Sequence, residues 1–191
     1  MKKSIIMLLL PISLIMGQED MPELPGWGVY VGYGLMSASG DSLPDDVTTV
    51  GLPGFGVSKG LMVGPLPMQA GIGLHGRGYK IESEGVTGEM TANYLDVWAN
   101  VPYPVGPAFL ALGINVGTFL GGKTKTEAPG FSLTTDLEDD ALGLDLGLNV
   151  GLGMPIGDTG AQVGVLYLLG LAEPTDGMTF NGIFFNAGYS F

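Results

Sequence analysis

Apolar residues stand at every second position through most of this chain. In the stretch 142–153 the alternate positions are all Leu or Val, and the positions between them are Gly, Asp or Asn. The same alternation runs through 183–191 and ends on the aromatic Phe191. A period of two is typical of a β-strand with one apolar face. The pattern therefore predicts a protein built from amphipathic strands.

Eight stretches follow this pattern, with lengths close to the roughly ten residues of a tilted transmembrane strand. They are 27–36, 54–64, 68–81, 91–103, 108–120, 142–153, 161–171 and 182–191. The opposite faces carry mainly Gly, Asn, Tyr and Ser, whereas a soluble surface would carry many more Lys and Glu. We therefore predict an all-β fold, an eight-stranded antiparallel up-and-down transmembrane β-barrel with its apolar face outward. Side chains largely fill the inside of so narrow a barrel.

The connections between these strands alternate in length. The gaps at 65–67, 104–107 and 155–159 are short, whereas those at 37–53 and 121–140 are long. This asymmetry is expected between periplasmic turns and outer loops, and an even strand count places both mature termini in the periplasm. The acidic residues of the long-side connections are Asp41, Asp45, Asp46, Glu82, Glu84, Glu89, Glu127, Asp136, Glu138, Asp139, Asp140, Glu173 and Asp176.

Composition favours strands over membrane helices. The chain has 191 residues with 34 Gly and no Cys, and 14% of its residues are charged. That share is well below the roughly 25% of soluble domains. Beyond the N-terminus, no stretch approaches the about 18 consecutive apolar residues of a transmembrane helix. Each interior Gly would also cost a helix about 1 kcal/mol relative to Ala.

The N-terminus predicts a secretory signal peptide. Lys2 and Lys3 precede an apolar stretch at 5–16, and Gly17 is a suitable residue before a cleavage site. The predicted organisation is a signal peptide at 1–17, a short periplasmic segment at 18–26 and the transmembrane barrel at 27–191.

Lys59 conflicts with the apolar outer face. Without a bulge it falls outward near the middle of the second predicted strand. A Lys that faces lipid at the midplane costs about 2–4 kcal/mol. A β-bulge would turn it inward, and a misplaced strand boundary is the alternative. Both interpretations stay open at this point.

Inward positions predict a polar network in the lumen. Its members are His75, Arg77, Asp96, Asp145 and Asn149. Because a charge in this low-dielectric space is costly unless it is paired, we expect these side chains to bond to one another and plug the barrel. The alternative for His75, the single histidine, is a catalytic base or a proton-sensitive gate.

Motifs for other chemistry are weak. Residues 71–76 match the GxGxxG pattern of dinucleotide sites, but they lie within a strand, whereas that motif opens a helix. Gly73 and Arg77 stand two positions from His75, so its own strand supplies no Ser partner for a lipid-modifying enzyme. The acidic run at 136–140 offers oxygen ligands to Ca²⁺ or Mg²⁺, although a solvated loop is the favoured interpretation. We predict no catalytic residue, cofactor or metal ligand, and no nucleic-acid partner because basic residues are few.

Two segments resemble a known family. The hairpin at 93–117, with its turn Pro104-Val-Gly-Pro107, and the ending Asn186-Ala-Gly-Tyr-Ser-Phe191 are similar to small eight-stranded outer-membrane β-barrel proteins common in Bacteroidetes-type bacteria. The resemblance implies an outer-membrane location, contact with outer-membrane lipids, and assembly by the barrel-assembly machinery. It places Tyr189 and Phe191 in the assembly signal of the last strand. Such barrels include structural, adhesive, porin-like and secretion-associated members, so the resemblance assigns no catalytic residue.

The sequence thus predicts location more sharply than activity. The leading hypothesis is a non-enzymatic barrel that contributes to envelope integrity or surface contacts through acidic extracellular loops. The alternative is a narrow porin-like channel for small solutes or hydrophobic molecules. A lipid-modifying enzyme that uses His75 is the third hypothesis.

Overall fold

The structure is a computed structural model that describes residues 26–41, 43–44, 46–175 and 177–191. The predicted signal peptide at 1–17 and nearly all of the segment at 18–26 lie outside the described residues. Ten strands form within them. They are β1 (Trp27–Ser39), β2 (Val47–Thr48), β3 (Val50–Val63), β4 (Leu66–Ser83), β5 (Val86–Val105), β6 (Ala108–Ala128), β7 (Phe131–Asp136), β8 (Asp145–Pro155), β9 (Ala161–Gly170) and β10 (Thr179–Ser190).

Eight of these strands close into a ring, which confirms the predicted antiparallel up-and-down barrel. The order around the ring is β1, β3, β4, β5, β6, β8, β9 and β10, and β10 pairs with β1 to close it. The closing register runs from Gly28 opposite Ser190 to Ser39 opposite Thr179. Full closure leaves the ring no unpaired edge strand.

The remaining two strands lie outside the ring. β2 pairs with β4, and β7 pairs with β6. The sequence predicted a long loop over 121–140, but β6 instead continues to Ala128 and returns as β7, so that this region is mostly a hairpin. β4 and β5 likewise extend past the predicted boundaries and meet at Glu84-Gly85. Four acids assigned to loops, Glu82, Glu89, Glu127 and Asp136, therefore lie on strands.

The two ends of the barrel differ. At the end called here the turn end, two-residue turns join β3 to β4 and β5 to β6. Each turn is Gly-Pro, with Gly64 at φ 63° and Gly106 at φ 61°. A glycine with positive φ at the first central position is what a type II′ hairpin turn requires. The opposite end, called here the loop end, carries β2, the β6–β7 hairpin and the connection between β9 and β10.

The outer wall is apolar, as the alternation predicts. Leu148, Val150 and Leu152 of β8 are exposed, while Asp145, Gly147 and Asn149 on the same strand are buried in the lumen. The pattern fails at Leu142, which was predicted to face outward on the sixth strand. β8 begins only at Asp145, and Leu142 folds over the barrel mouth and is buried. Within the described residues, no helix is long and apolar enough to cross a membrane.

Lys59 faces outward, and the pairing around it is continuous. It lies opposite Trp27 of β1 and Ala70 of β4 without a register shift, so the bulge interpretation is wrong. Its ammonium lies 5.0 Å from the centre of the Trp27 ring. The attraction between a cation and an aromatic face offsets part of the cost of this charge. The register shift that the structure does contain lies between β5 and β6, at Asn93 and Tyr94.

Candidate functional site

Arg77 lies at the centre of the lumen and bonds two carboxylates. Its Nε donates to Asp145 Oδ2 at 2.7 Å, and its Nη2 donates to both oxygens of Asp96 at 3.1 and 3.0 Å. Arg77 is 1% exposed and Asp145 is not exposed at all. Three strands, β4, β5 and β8, therefore meet through charges that water does not reach. A buried charge is tolerated only when it is paired in this way.

His75 extends this arrangement towards β1. Its Nδ1 donates to Asp96 Oδ2 at 2.6 Å, and its Nε2 shares a hydrogen bond with the Tyr30 hydroxyl at 3.1 Å. Trp98 Nε1 in turn donates to the Tyr30 oxygen at 3.0 Å. Both ring nitrogens of His75 therefore have a hydrogen-bond partner. We call His75, Arg77, Asp96 and Asp145 the ion-pair layer.

An apolar cap closes the lumen on the loop-end side of this layer. The cap consists of Ala38, Met90, Ala92, Tyr94, Phe119, Leu142, Met178 and Phe180. Tyr94 and Phe180 are fully buried, and their rings pack edge to face with centroids 6.2 Å apart. The guanidinium carbon of Arg77 lies 5.5 Å from the centre of the Tyr94 ring, so that the cap rests on the ion-pair layer. Buried aromatic pairs of this kind favour dense packing.

The lumen is open on the other side of the cap. A cavity of about 120 Å³ begins at the ion-pair layer and reaches Gln162 and Ser190 at the turn end. None of the cap residues lines it. We call this cavity the chamber. Its wall is mainly apolar and also carries uncharged polar side chains, among them Ser58, Asn115, Asn149 and Asn186.

Glycines on neighbouring strands make room for the large lumen side chains. A methyl group at Gly71 would overlap the ring of Trp98, which lies opposite it on β5. A methyl group at Gly73 would overlap the Tyr30 hydroxyl. A narrow barrel can hold aromatic side chains only if their neighbours are this small. This accounts for much of the chain's glycine.

The structure brings four of the five predicted lumen residues into one layer and leaves the fifth apart. Asn149 bonds to Asn100, donating from Nδ2 to Oδ1 at 3.1 Å, and makes no hydrogen bond to the ion-pair layer. Sequence reasoning missed Tyr30, Trp98 and Asn115 as site residues. Their inward position on the strands was readable, but their partners depend on which strands pair and in which register.

The acidic run at 136–140 forms no compact cluster. Among the residues described, no three His, Cys, Asp or Glu side chains come together where they could hold a metal ion. A divalent-cation contact at the acidic loops stays a prediction.

A family model described as outer membrane protein beta-barrel domain matches residues 7–191. The crystal structure of Neisserial surface protein A is similar in fold, with a TM-score of 0.53 and 11% identity over 89% of this chain and 100% of that one. The N-terminal beta-barrel domain of Pseudomonas aeruginosa OprF aligns with 87% of this chain and 100% of its own, at 11% identity and a TM-score of 0.36. No curated protein sequence matches significantly.

Proposed function

This chain belongs to the outer membrane protein beta-barrel domain family, and we propose that it is a closed, non-enzymatic barrel that supports envelope integrity and surface contacts. The protein is an outer-membrane β-barrel. The closed lumen, the role at the surface and the absence of catalysis are the proposal.

The apolar cap and the ion-pair layer together carry this proposal. Ions cross a pore through water, and the cap offers them only apolar side chains that are themselves buried. Behind the cap, Arg77 is bonded to both Asp96 and Asp145. Separating these charges in a low-dielectric space costs more than an exposed pair would. Recordings from planar bilayers that hold the purified barrel test this closure, and steady conductance would contradict it.

The hydrogen bonds of His75 argue against catalysis. Both ring nitrogens are already occupied, one by Asp96 and the other by Tyr30. A general base needs a nitrogen within reach of the proton it removes. No Ser hydroxyl bonds to His75 in the part of the chain that the structure describes.

The loop end supports the surface role. There β4, β5, β6 and β7 continue beyond the ring as a small sheet with a charged outward row. Its ion pairs are Lys80 with Glu82, and Lys125 with Glu127 at 2.9 Å. The bond to Glu82 raises the pKa of Lys80. Such side chains are suited to water and polar partners rather than to hydrocarbon.

The proposal also includes the orientation of the barrel in the membrane and the partners that it contacts. The loop end faces the cell exterior, and both described ends of the chain, at the turn end, face the periplasm. Outer-membrane lipids contact the apolar wall, and the barrel-assembly machinery recognises the last strand through Tyr189 and Phe191, which are both exposed. The Bacteroidetes-type affiliation rests on the resemblance of the hairpin at 93–117 and the ending at 186–191.

The chamber favours a second candidate function, a narrow porin-like channel. It already occupies the turn-end part of the lumen. Displacement of the apolar cap together with rearrangement of the ion-pair layer would connect it with the loop end.

A further inference from the structure

The chamber contains buried polar groups that the protein itself leaves without partners. Asn115 is 2% exposed, and neither its Nδ2 nor its Oδ1 has a hydrogen-bond partner. Asn149 Oδ1 is likewise buried and unpaired. Both residues line the chamber. Buried amide groups are nearly always hydrogen-bonded, so that several unpaired atoms beside one cavity indicate that something else fills it.

The fold holds these amides in place. Asn115 lies opposite Gly147 on β8 and Trp98 on β5, and a methyl group at Gly147 would come within 2.6 Å of Asn115 Oδ1. Asn149 is fixed by its bond to Asn100. Both residues lie on strands rather than loops, and strands hold site residues in position more precisely than loops do.

The charges around the chamber select against an ionic ligand. The ionisable groups on its wall are His75, Arg77 and Asp96, and they are bonded to one another. A charged ligand would lose its hydration without gaining a free counter-charge. The unpaired atoms are amide donors and acceptors, and a hydroxyl group can donate and accept at once.

The volume of the chamber and the residues of its wall narrow the class of ligand further. A water needs roughly 10–15 Å³ of such volume, so that the 120 Å³ chamber has room for about ten water-sized groups. A monosaccharide is near the upper limit of what fits. Trp98, Phe109 and Phe184 add apolar wall against which the C–H faces of a sugar ring can pack.

We propose that the chamber is a binding site for a small neutral polyhydroxylated molecule, a polyol or monosaccharide, that enters from the turn end. Asn115 binds adjacent hydroxyl groups with its two amide atoms, and Asn149 Oδ1 accepts a third hydrogen bond. The site goes beyond the proposed closed barrel and does not depend on it, since binding and conductance are measured separately.

A tryptophan of the chain can serve as an intrinsic fluorescence probe of this site. The chain contains two tryptophans; Trp27 is exposed on the outer wall, whereas Trp98 lines the chamber. In a Trp27→Phe background, Trp98 alone reports on the chamber by fluorescence. The folded full-length barrel is titrated in detergent with glycerol and with glucose, and separately with gluconate and with urea.

We expect a saturable change with glucose or glycerol, with a Kd in the millimolar range, and protection of Trp98 from acrylamide quenching. Gluconate and urea should give no saturable change. Asn115→Leu should weaken binding at least tenfold without lowering the thermal midpoint, because it removes unpaired polar atoms and keeps a similar shape. Asn93→Leu is the matched control, since Asn93 lies on the outer wall of the same strand pair and should leave binding unchanged.

A linear response to all four solutes, with no protection from quenching, would show that the chamber holds water alone and would overturn the proposal. Saturable binding of urea or gluconate in preference to glucose and glycerol would show that the proposed class of ligand is wrong. Equal affinity in the Asn115→Leu and Asn93→Leu variants would remove Asn115 from the site. If Asn115→Leu does not fold, the quenching experiment on the Trp27→Phe protein decides alone.

Discussion

At the residue scale, Arg77 is held by two carboxylates from different strands, Asp96 on β5 and Asp145 on β8. The three side chains are 2% exposed or less. Removing the cation would leave two buried negative charges without a counter-charge. The stability of the barrel therefore depends on this residue more than on any exposed charge.

We predict that Arg77→Met lowers the free energy of unfolding by about 3–5 kcal/mol, because it leaves buried charges uncompensated. Urea titration followed by the gel mobility of unboiled samples measures the change. Lys123→Met is the matched control, since Lys123 is exposed, and it should change stability by less than about 0.5 kcal/mol. Adding Asp96→Asn and Asp145→Asn to Arg77→Met should recover part of the loss. Equal losses for Arg77→Met and Lys123→Met would contradict the role of the ion-pair layer.

A second residue-scale prediction concerns the lumen glycines. Gly71→Ala should cost about 1–3 kcal/mol, as overpacking of a dense interior does, because the added methyl overlaps Trp98 and approaches the Val57 carbonyl oxygen to 2.6 Å. Gly88→Ala meets nothing within 4 Å and should be neutral. The same urea titration compares them, and a neutral Gly71→Ala would show that Trp98 can move freely.

The inward or outward direction of most side chains was predictable from the sequence, since a period of two fixes it on every strand. His75, Arg77, Asp96 and Asp145 could be placed in the lumen on this basis. Their partners could not, because a contact such as that of Trp98 with Tyr30 joins residues far apart in the chain. Asn149 shows the limit of prediction from strand periodicity, since it faces inward but bonds to Asn100 rather than to the ion-pair layer.

At the element scale, strand ends were predicted less well than strand centres. The apolar alternation stops where a strand leaves the hydrocarbon, but backbone pairing continues. β6 thus runs through Lys123, Thr124 and Lys125 to Ala128, where no apolar face marks it as a strand. The register shift of β5 and β6 at Asn93 and Tyr94 lies close to this change. Polar extensions of this kind have no periodic signal to detect.

The β6–β7 hairpin should be dispensable for folding. β7 pairs with β6 alone among the described strands. Because Thr124 lies opposite Thr135, an Asn-Gly turn can join them in place of 125–134. We expect the shortened protein to keep its heat-modifiable mobility and urea midpoint, and cells that produce it to keep their resistance to detergent. A lost mobility shift would show that the hairpin stabilises the ring.

The last strand supplies the other element-scale prediction. Phe191 is 71% exposed, so its side chain contributes little to packing within the barrel. We predict that Phe191→Ala lowers the amount of protein inserted in the outer membrane while the refolded protein keeps its stability. Phe131→Ala, which removes an exposed aromatic from β7, is the control. Normal membrane levels of Phe191→Ala would contradict a role in assembly.

At the scale of the whole molecule, the barrel combines an apolar outer wall, an apolar cap in the lumen at the loop end and a chamber at the turn end. The wall and the ring follow from sequence periodicity. The apolar cap could not be predicted in this way. It is formed by residues from separate parts of the chain, among them Tyr94, Phe119, Phe180 and Leu142. A structural barrel and a channel differ in whether the apolar cap stays closed to ions under an applied voltage.

Single-channel recording of the purified, folded barrel in planar bilayers tests this most directly. The wild-type protein should show no steady conductance above the bare membrane. A variant that combines Tyr94→Ala, Phe180→Ala and Arg77→Ala, which opens both the apolar cap and the ion-pair layer, should show discrete conducting events and so confirm that barrels were inserted. Steady conductance from the wild-type protein, equal to that of the opened variant, would contradict the closed lumen.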